Sequence, residues 1–591
     1  MLRFGAVIAI LFSTVLRANA IDPKDWPSYN GDPAGSRHNK GETSLSTTNV
    51  AKLEEKWRFP AKGSDLKIGV VHATPAVVDG FVYFGTASKP AFYALTPDGK
   101  LQWTYPLQGR TDPNRKDPKR SLDSKDPAGV MGSALVTDDA VFFADLDGFL
   151  YGLDRKNGKE KWKIDTRAEP FPDPHPLNAT FASPILANGN VVFAGGAFEQ
   201  WYAHNASYRG CTGRGYVVAI EPQSGKLVWK YDVGPKPEKL DPPVKIKDAY
   251  GEHVFYFGPA TSTIWSTPSY DAVTQTIFFG TDTNNSPRQP TKDDPRLDTK
   301  YACAAIAIDA KSGKEKWVTQ INPGDVWHRG MRAYDPQTKR YLDQSIGDTP
   351  KIYSIDAEGK STKVIGFGCK NGGFYVLNAA DGKVINHTPL YKGKPEFPLE
   401  TTPDERMLAL PGPLGGLQTG CATDGKTVFT NGIDMLQFGT QETALANLKP
   451  PTGGRVVGIG LDARTERWRH ERPKVEPEGT LVKSIFKEIG DPVASGLAVA
   501  NGVVYFTTVI SKKLVAIDAS TGKLLKEIDL GAVWSGPAVS RGRVYVGTGN
   551  ILFTSEGSAS MFTIVPSNPA GAILSLGLPG DDEVSRLGAK K

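Results

Sequence analysis

His328 follows the segment Gln320 to Trp327 (QINPGDVW), with Asp325 just upstream of it. A neutral imidazole suits proton transfer near neutral pH, and a carboxylate can do the same work where its surroundings allow. The remaining histidines are scattered along the chain. Four cysteines are present, Cys211, Cys303, Cys369 and Cys421, and none has C-x-x-C spacing. No C-x-x-C-H occurs, so no covalent c-type haem is encoded. There is no G-x-S-x-G, P-loop, H-E-x-x-H or zinc spacing either, which removes the common hydrolase, phosphate-binding and zinc motifs.

The elements that must hold these residues follow from an internal repeat. A strand ending in Asp or a similar residue, a Gly turn, Lys and Trp recurs at 94–103, 153–162, 219–229 and 307–317. Weaker copies follow: Asn386 stands in the Trp place of one, Trp468 closes another, and Lys526 ends the last. Each copy is preceded by alternating apolar residues around a short polar turn, as in TPAVVDGFVYFGT (74–86) and SGPAVSRGRVYVGT (535–548). That pattern reads as a hairpin, and two hairpins per repeat make a four-stranded sheet. Such a sheet cannot bury both faces alone, so it must stack radially on copies of itself. Leu53 to Trp57 looks like the end of a repeat that lacks its beginning. Joined to the hairpin at 535–548, it closes a ring. The expected fold is therefore all-β: an eight-bladed β-propeller of four-stranded antiparallel blades, closed by the N-terminal strand.

Residues 1–20 carry Arg3, an apolar run from Ala6 to Leu16 and Ala18-Asn19-Ala20, the pattern of a cleaved signal peptide. The expected division is a leader at 1–20, a propeller at 21–568 and a Gly-rich tail at 569–591, in a periplasmic or secreted protein without a membrane span. The formal charge of +6 falls to near +4 once Arg3 and Arg17 leave with the leader. With no Lys/Arg block interleaved with aromatics, nucleic acid is not an expected partner. An even cysteine count in an exported chain permits two disulfides; Cys211–Cys303 and Cys369–Cys421 would join neighbouring blades. The long insertions at 107–129, 168–180, 199–214, 232–262, 284–301 and 392–416 are where a site would be built.

The repeat, together with Asp25-Trp26-Pro27-Ser28-Tyr29-Asn30-Gly31-Asp32 near the start, resembles the quinoprotein alcohol dehydrogenases over most of 25–550. Within them it is most similar to the polyvinyl-alcohol-dehydrogenase-like branch. The resemblance implies pyrroloquinoline quinone (PQQ) in the central channel, with Ca²⁺ or a lanthanide beside it. Ser262 to Pro268 resembles the segment whose Trp lies beneath the quinone, which makes Trp265 the floor. Gly368 to Leu377 resembles K-N-G-F-F-Y-V-L-D, which places Lys370 on the quinone oxygens. Gly195 to Glu199 resembles G-G-A-E, which makes Glu199 a metal ligand, although an insertion follows here. Gly280 to Asn285 resembles G-T-G-N, with Asn284 favoured as the second ligand. Where the family has its catalytic Asp after Q-x-x-P-x-D-x-W, this chain has His328, so the base would be His328 or Asp325. The family's Arg near the second blade and its adjacent Cys pair are missing.

Two functions are compatible with these residues. One is a PQQ-dependent dehydrogenase acting on a small or polymeric alcohol, with electrons passing to an external acceptor such as a cytochrome. The other is a non-catalytic propeller of the same repeat that binds a protein or glycan, as outer-membrane assembly propellers do.

Overall fold

The computed structural model describes residues 21–108, 129–203, 208–248, 251–288, 294, 296–297, 299–328, 334–335, 340–357, 359–390, 415–434, 453–476, 487–550, 570–580 and 584. The expected leader at 1–20 lies outside them. Among the described residues the repeats form eight antiparallel sheets arranged as a propeller. Blade 1 runs Ala76–Val78, Phe81–Gly85, Ala91–Leu95, Leu101–Pro106 from the inside outward. Blades 2 to 7 begin at Leu135–Val136, Ile185–Ala187, Ser269–Asp271, Lys351–Ala357, Ala422–Thr423 and Ala498–Ala500. The inner hairpins turn on pairs such as Asp79-Gly80, Asn188-Gly189 and Asn501-Gly502, where both residues have positive φ. That is the geometry that matches the right-handed twist of the flanking strands.

The repeated Trp and Gly explain why the blades stack. Trp103 of blade 1 donates its indole N–H to the Arg155 carbonyl of blade 2 at 3.0 Å, and Trp229 of blade 3 reaches Ala310 of blade 4 at 3.1 Å. The turn glycine of the next blade lies under each ring: a Cβ on Gly313, at φ +70°, would sit 2.6 Å from Trp229. Asn386, in the Trp place of blade 5, reaches the same kind of carbonyl, that of Asp462, at 2.9 Å.

Blade 8 closes the ring. Ala538–Ser540, Arg543–Gly547 and Ile573–Gly577 take Glu54–Phe59 as their outer strand. Trp57 of that strand donates to Pro97 of blade 1 at 3.0 Å. The strand Ile573–Gly577 corrects the expected tail at 569–591, because the propeller extends past 568. Ile573, Leu574 and Leu576 are buried in the core shared by blades 7, 8 and 1.

The first described residues form a strap beneath the inner strands. Trp26 exchanges main-chain bonds with Val77 of blade 1, and Pro27 accepts from Val136 of blade 2. Pro33, Ala34, Ser36 and Arg37 then accept from Tyr270, Ile352, Thr423 and Val499 of blades 4 to 7. Asn39 donates to Val539 of blade 8 at 2.7 Å. The fully buried Arg37 guanidinium pins the strap to Leu497 and Thr74 and stacks on Tyr29. One polypeptide segment thus ties seven blades together.

The expected disulfides do not form: all four cysteines are free and buried. The thiols have other partners. Cys303 donates to Asp325 at 3.0 Å, Cys369 to the Gln344 carbonyl at 3.1 Å, and Cys421 lies 3.7 Å from Asn431 Oδ1. Burial pushes the Cys369 thiol up to about 12 and holds the others in the thiol form as well. Among the described residues no helix is long and apolar enough to cross a membrane.

Candidate active site

The inner ends of the blades surround an axial cavity of about 240 Å³. Trp265, which leads into the first strand of blade 4, is half-buried on its wall, with Trp534 of blade 8 also bordering it. The Trp265 ring needs Gly347, since a Cβ there would fall 1.8 Å from the indole. A large aromatic at the start of a repeat, away from the docking positions between blades, is free to present a face to the channel.

Asp282 belongs to the charged part of the site and is buried; Thr263 Oγ1 lies 3.3 Å from its Oδ2. Gln200 donates to it at 3.0 Å and the Thr283 amide at 2.9 Å. Burial raises its pKa, and the nearby Lys370 ammonium acts in the opposite direction. Lys370 Nζ lies 2.7 Å from Asp343 Oδ1, with both side chains buried. Burial pushes the Asp343 carboxyl up to about 7; Lys370 lowers it, while Asp282 and Asp325 raise it. One lysine therefore faces several carboxylates in a medium of low dielectric, and Asp343 carries the unbalanced share.

Asn284 and Asp325 sit behind this pair. The main-chain and side-chain N–H groups of Asn284 both donate to the Asp325 carbonyl, at 3.0 and 2.8 Å. Its Oδ1 is buried without a hydrogen-bond partner, which makes it a natural acceptor for a cation or a donor group. The Asp325 carboxylate is heavily used. Oδ1 accepts from the amides of Val326 and Asp343, at 3.0 and 2.9 Å, and Oδ2 from the Gln344 amide at 2.6 Å and the Cys303 thiol. His328 is turned toward Pro287, with Nε2 2.9 Å from that carbonyl. Asp325 thus orients Asp343 by holding its main chain, and the imidazole of His328 is engaged elsewhere.

Glu199 is fully buried, but its carboxylate is filled from within the chain. Tyr208 donates at 2.6 Å, and the amides of Cys211, Thr212 and Gly213 donate at 2.7, 3.1 and 2.8 Å. These donors come from the insertion that follows Glu199; three of them are on Oε1 and one on Oε2, so the inserted residues compete with a metal for this carboxylate. Among the described residues no three His, Cys, Asp or Glu side chains are grouped to hold a metal ion.

Of the residues read from the sequence, the structure brings Trp265, Lys370, Asn284 and Asp325 into one region, and it gives Glu199 and His328 partners of their own. Asp343 and Asp282 were missed. Asp343 lies fifteen residues beyond His328, past another insertion, in a segment without a motif. Asp282 was visible as the acidic residue inside Gly280 to Asn285, where the resembling pattern has Gly. An aromatic wall on a channel, a buried cation and an unpartnered amide oxygen fit the requirements of PQQ; the Glu199 part of the expected metal set does not fit.

The comparisons with known proteins agree with this architecture. A family model for the glucose/ethanol/alcohol dehydrogenase β-propeller domain matches residues 26–392, and one for the outer membrane protein assembly factor BamB matches residues 452–560. The chain is 29% identical over 349 residues to the quinohemoprotein alcohol dehydrogenase ADH-IIG of Pseudomonas putida, covering 58% of this chain and 42% of that protein. It is 26% identical to the polyvinylalcohol dehydrogenase of Sphingopyxis sp. (strain 113P3), covering 69% of this chain and 54% of that protein. It spans about half the length of these relatives. The crystal structure of quinohemoprotein alcohol dehydrogenase from Comamonas testosteroni superposes with a TM-score of 0.68 at 21% identity, covering 96% of this chain and 82% of that one. A europium-containing methanol dehydrogenase gives 0.64 at 17% identity, covering 94% and 98%. At these identities the two structures show the shared fold.

Proposed function

Because the chain belongs to the glucose/ethanol/alcohol dehydrogenase β-propeller family, we propose that it binds PQQ against Trp265 and oxidises an alcohol, with Asp343 as the base. The observation that carries this reading is the buried Lys370–Asp343 pair at 2.7 Å. When bound, PQQ would supply the two-electron acceptor for the alcohol carbon.

The rest of the chemistry falls to side chains of this chain. Lys370 places a fixed positive charge where negative charge develops, and its burial spares it the screening of water. Asp343, with a carboxyl held at about 7, is suited to take the hydroxyl proton near neutral pH. Asp325 fixes the chain at Asp343 through the amides of Asp343 and Gln344. Asn284 Oδ1 is the ligand oxygen this site offers to Ca²⁺ or a lanthanide. Glu199 is left out of the metal set. The substrate is a small or polymeric alcohol, and the electrons leave for a separate acceptor such as a cytochrome, outside the cytoplasm.

The test is a titration of the protein with PQQ in the presence of Ca²⁺ or a lanthanide, read by quenching of Trp fluorescence, with Trp265→Ala as control. Saturable, metal-dependent quenching that disappears in the variant, followed by dye-linked oxidation of alcohols, supports the proposal. No saturable binding with any metal overturns it and leaves a scaffold propeller, the reading to which the BamB match at 452–560 would then speak.

A further inference from the structure

The strap described above skips one blade. At the same repeat position, seven inner strands bond to the segment between Trp26 and Asn39; the eighth position is Leu186 of blade 3. Between Pro27, on blade 2, and Pro33, on blade 4, residues 28–32 pass it by. Leu186 pairs with Val191 between the pairs that flank the Asn188-Gly189 turn. By the alternation of an antiparallel hairpin its main-chain N–H and C=O therefore point to the open edge. Its side chain is 37% exposed, unusual for an inner strand of this ring.

The skipped position opens on a groove of about 580 Å³ on the strap side of the ring. Leu186, Leu135, Trp26 and Pro33 supply its apolar wall. Carboxylates rim it. Asp22 is paired with Arg541 and Asp139 with Lys161. Asp138 and Asp32 have no cation among the described ion pairs; Asp138 is exposed, and Asp32 is bonded only to Ser36. Among the described residues lining the groove, Lys40 is the one lysine or arginine.

We propose that this groove is a docking site for an extended, basic segment of a partner protein. The segment adds as a strand to the free inner edge of blade 3, lays an apolar side chain against Leu186, and sets a Lys or Arg against Asp138 and Asp32. Main-chain pairing to a free sheet edge supplies affinity, and side chains at alternate positions supply selectivity. Blades 1 and 7 show that this edge accepts an extended segment, because the strap bridges Val77 through Trp26 and pairs His38–Asn39 with Val499 and Ala500. The negative rim selects the sign of the partner. The proposal does not depend on the PQQ reading, since the groove is lined by the strap and by blades 2 and 3 and shares no residue with the Trp265 cavity.

The probe is a fluorescein-labelled acetyl-Lys-Val-Lys-Val-Lys amide titrated against the full chain by anisotropy, beside its Glu-Val counterpart and a form N-methylated along one edge. The expected result is saturable, salt-sensitive binding of the Lys peptide, at least about tenfold weaker for the Glu and N-methylated forms. Asp138→Lys, an exposed position checked for an unchanged melting temperature, should weaken the Lys peptide by at least about tenfold. Leu186→Lys should do the same. Equal binding of both signs of peptide, or indifference to Asp138→Lys, overturns the proposal. A peptide of residues 1–20 that displaces the Lys peptide, or dimerisation of the chain abolished by Leu186→Lys, would assign the groove to another occupant and overturn it as well.

Discussion

Asp325 holds the main-chain amides of Asp343 and Gln344 on its carboxylate, at 2.9 and 2.6 Å, and so presents the Asp343 side chain to Lys370. The Asp of the Q-x-x-P-x-D-x-W resemblance thus holds the chain at a second carboxylate eighteen positions later. The Asp325 carboxylate accepts four hydrogen bonds, whereas burial, with the charges of Asp282 and Asp325 beside it, pushes the Asp343 carboxyl up to about 7.

Asp343→Asn should lower turnover in dye-linked alcohol oxidation by about 10²- to 10⁴-fold, the usual contribution of a general base. His328→Ala should lower it less than about tenfold, because the ring faces Pro287. A reversed order would make His328 the base.

Turnover should rise with pH through about 7, as Asp343 loses its proton. Lys370→Met removes the charge that lowers this pKa, so the limb should move to higher pH. Stability carries the opposite sign. The carboxyl binds its proton more tightly in the native chain, about 7 against 3.8 unfolded, so between those values the native state holds more protons. Its contribution to stability is present below 3.8 and is lost as pH rises toward 7. Melting temperature of the cofactor-free protein against pH, compared with Asp343→Asn, measures that contribution; a flat difference contradicts it.

Glu199→Gln should leave metal affinity within about threefold of the parent chain, whereas loss of a true ligand usually costs far more. The change should instead loosen residues 208–213, seen as faster amide exchange at Cys211 to Gly213. A large loss of metal affinity with unchanged exchange would restore Glu199 as a ligand.

Trp229→Ala should destabilise the ring by about 3–5 kcal/mol, since the ring is buried between blades 3 and 4. Gly313→Ala, at φ +70° and 2.6 Å from that indole, should cost more than the about 1–2 kcal/mol of the backbone conformation alone. Chemical denaturation of each variant decides; a neutral Gly313→Ala would mean that the docking contact is slack.

The propeller was legible in the chain because its signals are local. An Asp, a turn glycine and a Trp recur at fixed short spacing, and the turn and the docking contact each need only a few neighbouring residues. The same locality underlies the resemblance at Trp265 and Lys370, since each lies in a short segment with a pattern of its own. What depended on distant segments was not legible. Asp343 reaches Lys370 only after a loop has folded onto Asp325. Glu199 takes four donors from an insertion whose amides carry no sequence signature. The strand Ile573–Gly577 lacks the Gly–Lys–Trp ending because the opposite end of the chain supplies it. The cysteines stay free, and the thiols of Cys303, Cys369 and Cys421 lie beside oxygens instead. Residue type and spacing determined which blades and which aromatic and cationic groups exist; tertiary packing decided which carboxylates are free to act, because charge balance and burial are set by neighbours far away in the chain.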